Sequence, residues 1–361
     1  MKKYITVILF LAIYISGMAQ PSFSGLEHLF KMPEHYVACY TTEEPFIDGN
    51  INDRVWNNAA WSNYFRDIEG DLKPEPLQKT RIKMLWNDTY LFVAAELEES
   101  NVWAYLKNHD DIVFYDNDFE VFIDPDNNVH QYFEIEVNAL NTIFDLYMSK
   151  PYRNGSDALI SWDTPGLKSA VHIYGSLNNP DDVDEKWTVE MAIPFAAITM
   201  GNKPDVPVDG RIMRIGFSRV EWQTNVVDGK YVKKKAPSGR DLPEYNWVWS
   251  PQGVINMHCP ERWGYLQFSK KTKHTEAPEF VMPYSEKQKQ YLWLVYYRQN
   301  EFSAKNKRYA TSLSELGIKE TTFNIDGKKN TLTMEATGKQ FVVYIQSDDS
   351  RQFVNNDGLV H

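Results

Sequence analysis

Apolar and polar residues alternate with a period of two along several stretches between residues 78 and 268. Ile82, Met84 and Trp86 share one face of such a stretch, and Arg81 and Lys83 share the other. Asn87-Asp88-Thr89 supplies turn chemistry. Leu91, Val93, Ala95 and Leu97 then resume the apolar face, with Glu96 opposed. Alternation on both sides of a short polar turn predicts a β-hairpin. The pattern recurs where Phe119, Val121 and Ile123 alternate with Asp118, Glu120 and Asp124. It recurs again where Phe133, Ile135 and Val137 alternate with Glu134, Glu136 and Asn138, and where Trp187, Val189, Met191 and Ile193 alternate with Thr188, Glu190 and Ala192. Residues 143–148, 169–175, 211–219 and 263–268 read as further strands. About ten strands, each with one polar face and joined by Asn, Asp, Gly and Pro turns, predict an all-β antiparallel β-sandwich. Glu120, Glu134, Glu136 and Glu190 are then expected on its solvent-wetted face. Helix is confined to residues 53–60 and one turn starting at Pro194.

The pattern changes after residue 268. Residues 269–283 carry Lys270, Lys271, Lys273, Pro278 and Pro283 and read as a linker. Tyr291, Leu294, Val295 and Arg298 fall at helical spacing. Residues 322–325, 331–335 and 340–345 read as short strands, so residues 284–361 are expected to form a small α+β domain. Residues 222–245, with Lys233-Lys234-Lys235 inside, read as one long polar loop. At the other end, Lys2-Lys3, an apolar run over residues 4–15 and small residues up to Ala19 describe a secretory leader. The run is too short to span a bilayer. The expected organisation is a leader at 1–19, an extension at 20–35, a sandwich at 36–268, a linker at 269–283 and the small domain. The expected location is periplasmic or extracellular after cleavage near Ala19.

Charge narrows the partners. The formal net charge is −11, and loss of Lys2 and Lys3 with the leader makes it more negative. Such a chain is unsuited to nucleic acid or anionic membrane. No other stretch is long and apolar enough for a membrane span. Eleven Trp and 21 Tyr exceed what a core of this size needs, so some rings are expected at the surface. The two cysteines, Cys39 and Cys259, either pair in an oxidising compartment or remain buried thiols. Spacing leaves both open.

Several segments carry a resemblance. Pro45-Phe46-Ile47-Asp48-Gly49 is followed by Trp56 and Ala59-Ala60. Then come Leu85-Trp86-Asn87-Asp88-Thr89-Tyr90-Leu91, Asn117-Asp118-Phe119-Glu120-Val121-Phe122-Ile123-Asp124 and Trp187-Thr188-Val189-Glu190-Met191-Ala192-Ile193-Pro194, and finally Pro260-Glu261-Arg262-Trp263-Gly264. In this order they resemble the family 9 carbohydrate-binding modules, over residues 36–268. The resemblance implies a sandwich that binds a polysaccharide or oligosaccharide without cleaving it, in association with glycoside hydrolases and polysaccharide catabolism. A second, short resemblance, between Tyr296 and Gly317, is to the segment after the helix of type IV pilin-like proteins. It suggests a protein partner for the C-terminal domain.

In the family, two tryptophans clamp a sugar ring and polar side chains read its hydroxyls. Carried over by position, Glu120 matches the hydroxyl-binding carboxylate, and Phe114 or Tyr115 the first ring. Glu136 stands where the family has a basic residue. The second ring falls near Met257, with His258 beside it. Trp103, Trp162 and Trp247 are substitute rings, in or beside loops. No cofactor is required, but the resemblance implies structural calcium, and Asp118 and Asp124 offer the oxygen ligands it prefers. No Cys/His spacing of a zinc site is present. A hydrolase would need two carboxyl groups flanking the scissile bond. Glu120, Glu134, Glu136 and Glu190 could supply them, but the sequence has neither Gly-x-Ser-x-Gly nor His-Glu-x-x-His. Binding is therefore the expected function. Alternatives are weak hydrolysis by sheet carboxylates and a surface scaffold that has lost sugar binding.

Overall fold

The structure, a computed structural model, describes residues 21, 23–201 and 203–361. The expected leader lies outside the described residues. Among these, no helix is long and apolar enough to cross a membrane. The chain divides into two units, one comprising Leu26–Pro283 with Val354–His361, the other Tyr284–Phe353 with the described residues up to Gly25. The last eight residues thus group with the large unit and not with the small domain expected over residues 284–361. They are held there by hydrogen bonds: Val360 N–H donates to the Asn128 carbonyl at 3.2 Å, and a His130 ring nitrogen lies 2.9 Å from the Asp357 carbonyl.

Among the described residues, the large unit contains fourteen strands. They are β1 (His35–Tyr40), β2 (Arg66–Asp67), β3 (Thr80–Trp86), β4 (Tyr90–Glu98), β5 (Asp118–Asp124), β6 (Tyr132–Asn138), β7 (Ile143–Met148), β8 (Lys168–Tyr174), β9 (Lys186–Pro194), β10 (Ile212–Glu221), β11 (Thr224–Val227), β12 (Lys230–Lys233), β13 (Tyr245–Val248) and β14 (Gly264–Ser269). Most join one curled sheet, in the order β7-β6-β5-β10-β14-β1-β3-β4-β9-β8, with β13 and β2 added beside β10. Curling brings the apolar face of β5, β6 and β10 against that of β3, β4 and β9. Phe119, Ile135 and Phe217 share one core with Met84, Val93 and Met191, which makes the unit a β-sandwich. All named pairings are antiparallel except those of β1, which runs parallel to both β14 and β3.

Local chemistry explains the joints. The β3–β4 turn closes because the Asn87 side-chain oxygen accepts the N–H groups of Thr89 and Tyr90, both at 2.8 Å. Gly49 has φ of +84°, and a Cβ there would lie 2.5 Å from the Val171 backbone. Gly264 brings β14 close to its neighbours: a Cβ would lie 2.4 Å from the Trp249 ring. Glu190 is not a wet carboxylate. It is buried and accepts the Trp56 indole N–H at 2.7 Å and the Gly49 N–H at 3.0 Å. The expected helix at 53–60 is a single 3₁₀ segment, Arg54–Asn58. The expected long loop contains the hairpin β11–β12.

Cys39 and Cys259 are both buried and both free. Parallel pairing sets Cys39 beside Ser269, at the end of β14, while Cys259 precedes the start of that strand. A disulfide needs Cα atoms within about 7 Å, and the length of β14 lies between these two points of the fold.

Among the described residues, the small unit holds one helix, α1 (Tyr284–Asn306), and a four-stranded sheet of β15 (Thr322–Ile325), β16 (Lys328–Ala336), β17 (Phe341–Gln346) and β18 (Arg351–Asn355), in that order, the last two residues of β18 grouping with the large unit. Leu292, Leu294, Val295 and Tyr296 of α1 are buried, and Tyr291 stacks on Phe323 at 4.3 Å.

Candidate functional site

The outer face of β5 and β6 carries a row of carboxylates. Glu120 stands directly opposite Glu136, and Phe122 opposite Glu134. On the other side Ser218 of β10 faces Glu120. Alternation sends Phe119, Val121 and Ile123 into the core and these side chains outward, as the sequence implies. The face is not wet, however. Asp118, Glu120, Glu134 and Glu136 are each 5% exposed or less. Trp263 lies across it, 5.4 Å from the Phe122 ring and 5.2 Å from the Tyr132 ring, and its indole N–H is tied to the Met257 carbonyl at 2.8 Å.

Burial sets the chemistry of the row. It raises the Glu120 carboxyl to about 7, with the nearby Ser218 hydroxyl opposing the shift. It raises Glu134 to about 8, helped by the charge of Glu120. Asp118 and Glu136 are pushed well above the usual carboxylate range, by burial first and Glu120 next. One oxygen of each of the four has no hydrogen-bond partner among the described residues. A buried polar atom left unpaired is costly, so the row is primed to take hydroxyl donors or a cation. Near neutral pH such acids both donate and accept hydrogen bonds.

Two exposed tyrosines flank the row. Tyr115 is 52% exposed and its ring lies 4.4 Å from Phe114. Lys233 reaches over it at 5.2 Å while sitting 3.4 Å above the Trp222 ring. The charge of Glu244 acts on both Lys233 and Glu120, which ties this rim to the row. Beside Glu134, Tyr152 is 44% exposed and meets His258 edge-on at 4.5 Å. His258 Nδ1 pairs with the Tyr132 hydroxyl at 2.8 Å, and its Nε2 lies 3.9 Å from Glu134. Burial, then the charge of Arg153, lowers His258 to about 4, so the ring is neutral at pH 7.

The structure brings Glu120, Glu136, Tyr115 and His258 to this face. Phe114 is partly buried and packs on Trp103, Val220, Trp222 and Tyr231. Trp103 and Trp247 are corrected: both are buried, Trp103 in that cluster and Trp247 in the main core, with Arg219 5.3 Å over the Trp247 ring. Their rings pack under the loops and offer no platform. Trp162 is half-buried against Phe133 at 5.0 Å. Sequence reasoning missed Tyr152. Its one signal is Pro151-Tyr152 in the turn directly after β7, the strand beside the acidic pair.

Asp118 and Asp124 do not form one cation site. They lie at opposite ends of β5, and Asp124 accepts the Val129 N–H at 2.8 Å. Oxygens of Asp118, Glu120 and Glu136 do lie within 4.8 Å of one another. A calcium ion with oxygen bonds of about 2.3–2.6 Å spans that spacing, so these three fit a hard cation. A second group, His109, Asp110, Asp145 and Asp163, also gathers one ligand atom each within 4.8 Å.

This sandwich with its polar sheet face is that of a carbohydrate-binding module fold. The chain belongs to the carbohydrate family 9 binding domain-like family, whose family model matches residues 47–250. It is 30% identical over 182 residues to endo-1,4-beta-xylanase A of Thermoanaerobacterium saccharolyticum. It is 28% identical over 185 residues to exoglucanase XynX of Acetivibrio thermocellus. Each match takes in 50% of this chain but only 13% and 14% of those proteins. Among solved structures, a family 9 carbohydrate-binding module of Caldicellulosiruptor kristjanssonii in complex with cellotriose is 16% identical. It aligns with a TM-score of 0.40, over 69% of this chain and all of that one.

Proposed function

We propose that the protein is a secreted, non-catalytic carbohydrate-binding protein that lays a polysaccharide, or oligosaccharides from one, across the acidic row between Tyr115 and Tyr152. The observation that carries this reading is a carboxyl row flanked by two exposed tyrosine rings on one face of a family 9 domain. In this reading the carboxyl groups of the row supply directional, charge-assisted hydrogen bonds to sugar hydroxyls, and the rings pack on the sugar's C–H faces. The named relatives, a xylanase and an exoglucanase, support β-linked plant polysaccharides as the ligand class and a place in polysaccharide breakdown. Binding is favoured over hydrolysis because Glu120 and Glu136 are side by side on adjacent strands and point the same way. A hydrolytic pair must flank the scissile bond.

In this reading calcium is held by Asp118, Glu120 and Glu136. The test is a glycan array with residues 20–361, run with and without calcium, followed by calorimetry on any hit. Binding of a xylan or glucan fragment that Glu120→Gln abolishes supports the reading. Absence of binding to every glycan in both conditions overturns it. The location is tested by sequencing the N-terminus of the exported protein, where Gln20 is expected first.

A further inference from the structure

We propose that His109, Asp145 and Asp163 form a binding site for a divalent transition metal, zinc above all, with Asp110 orienting the His109 ring. The site is separate from the acidic row and independent of the glycan reading. Its residues come from three places in the chain: the turn before β5, the middle of β7, and the turn before β8.

The geometry is that of a metal-binding histidine held from behind. Asp110 Oδ1 lies 3.0 Å from His109 Nδ1. On the other side of the ring, Nε2 lies 3.1 Å from Asp163 Oδ1 and 4.0 Å from Asp145 Oδ1. A carboxylate on the far ring nitrogen fixes the tautomer and presents the other nitrogen to a metal. In tetrahedral zinc sites, bonds of about 2.0–2.2 Å put neighbouring ligand atoms about 3.4 Å apart. The two observed separations bracket that value. Three protein ligands leave a fourth position for water, and His109 and Asp163 are exposed, so an ion can reach them.

Asp145 separates this cluster from an ordinary surface ion pair. It is 2% exposed. Its Oδ2 accepts the Thr164 N–H at 2.5 Å, but Oδ1, the oxygen facing His109, is buried and accepts no hydrogen bond among the described residues. A buried carboxylate oxygen aimed at a histidine nitrogen without donors of its own is a ligand position. The supports are already in place. The Asp110 N–H donates to the Ile143 carbonyl at 3.1 Å, and the Asp111 carboxylate accepts the N–H groups of Lys107 and Asn108 at 3.0 and 2.8 Å. Trp162, next to Asp163, is anchored on Phe133. The nitrogen ligand selects a transition metal over calcium, which takes oxygen ligands.

The experiment titrates zinc chloride into metal-stripped protein, residues 20–361, by calorimetry, with cobalt(II) absorption as a second probe of geometry. One equivalent is expected to bind and to raise the melting temperature. His109→Ala should weaken that binding at least tenfold and abolish the thermal shift. Asp145→Asn should do the same, and Asp110→Asn should weaken affinity about tenfold without changing stoichiometry. His109 is in an exposed turn, so the metal-free variant is expected to melt with the parent, which guards the reading if Asp145→Asn fails to fold. Absence of a saturable one-to-one site, equal affinity in His109→Ala, or displacement of zinc by equimolar calcium would each overturn the proposal.

Discussion

Arg219, enclosed in the interior without solvent exposure, donates from Nη2 to a Glu99 carboxylate oxygen at 2.7 Å. The same nitrogen donates to Glu221 at 2.8 Å, and Nη1 donates to the Glu98 carbonyl at 2.7 Å. The guanidinium thereby joins β4 to β10 behind the Tyr115 rim. Removing one partner of a buried ion pair leaves the other charge uncompensated, a cost of about 3–5 kcal/mol. Arg219→Met is expected to destabilise the large unit by that amount in urea unfolding. A loss under about 1 kcal/mol would show that Glu99 and Glu221 are satisfied without it.

Tyr115→Ala and Tyr152→Ala should each weaken glycan binding and leave the melting temperature within a degree or two of the parent. An aromatic contact contributes about 0.5–1.5 kcal/mol beyond its area, so each loss should be roughly two- to tenfold. Trp103→Ala and Trp247→Ala should behave in the opposite way. Both rings are buried, and such truncations cost about 3–5 kcal/mol of stability. Calorimetry and thermal melts on the four variants separate the two classes. Loss of binding by Trp247→Ala in a fully folded protein would contradict its placement.

His258 gives the stability a pH dependence of definite sign. Its folded value, about 4, lies below the ordinary 6.5, so the native state resists protonation. The groups around it are Glu134, Arg153, Tyr132 and Tyr152. Its contribution is complete above pH 6.5 and is lost as pH falls toward 4, by up to about 1.4 kcal/mol per pH unit. His258→Asn keeps an acceptor for Tyr132 and removes the titration. Parent and variant should therefore converge in relative stability below pH 6, and parallel curves from pH 7 to 4 would refute the assignment.

The thiols should be silent in the folded protein. Burial pushes Cys39 up to about 11 and Cys259 up to about 12. Since the thiolate is the reactive form, a thiol reagent should label neither until denaturant is added, and then both. Reductant should leave the melting temperature unchanged. Formation of a disulfide between them would be seen as a two-dalton mass difference and would contradict the fold.

The sandwich was legible because strand alternation is local. Phe119, Val121 and Ile123 declare the inner face of β5 without reference to the rest of the chain. What covers the other face was not legible. Trp263 packs on Phe122 and Tyr132 of that face from a position far along the sequence, and strand alternation alone does not show that Glu120, Glu134 and Glu136 are buried. The same distance hid the His109 cluster, whose ligands come from the turn before β5, the middle of β7 and the turn before β8. The hairpin β11–β12 is a different case. Asp228-Gly229, at φ of 50° and 71°, is a two-residue turn signal between Val226-Val227 and Tyr231-Val232, outweighed in the reading by the polar residues around it. The cysteine relationship depends on the parallel direction of β1, which no local pattern carries.

That parallel strand also sets a timetable. β1 is bonded to β14 through five residue pairs but to β3 through only two. A ribosome releases residues 35–40 long before it reaches residues 264–269. At about 5–20 residues per second, the roughly 230 residues between them take on the order of ten to fifty seconds. Throughout that interval the sides of β1 and β10 that β14 later joins stay open, the condition that favours unwanted strand pairing.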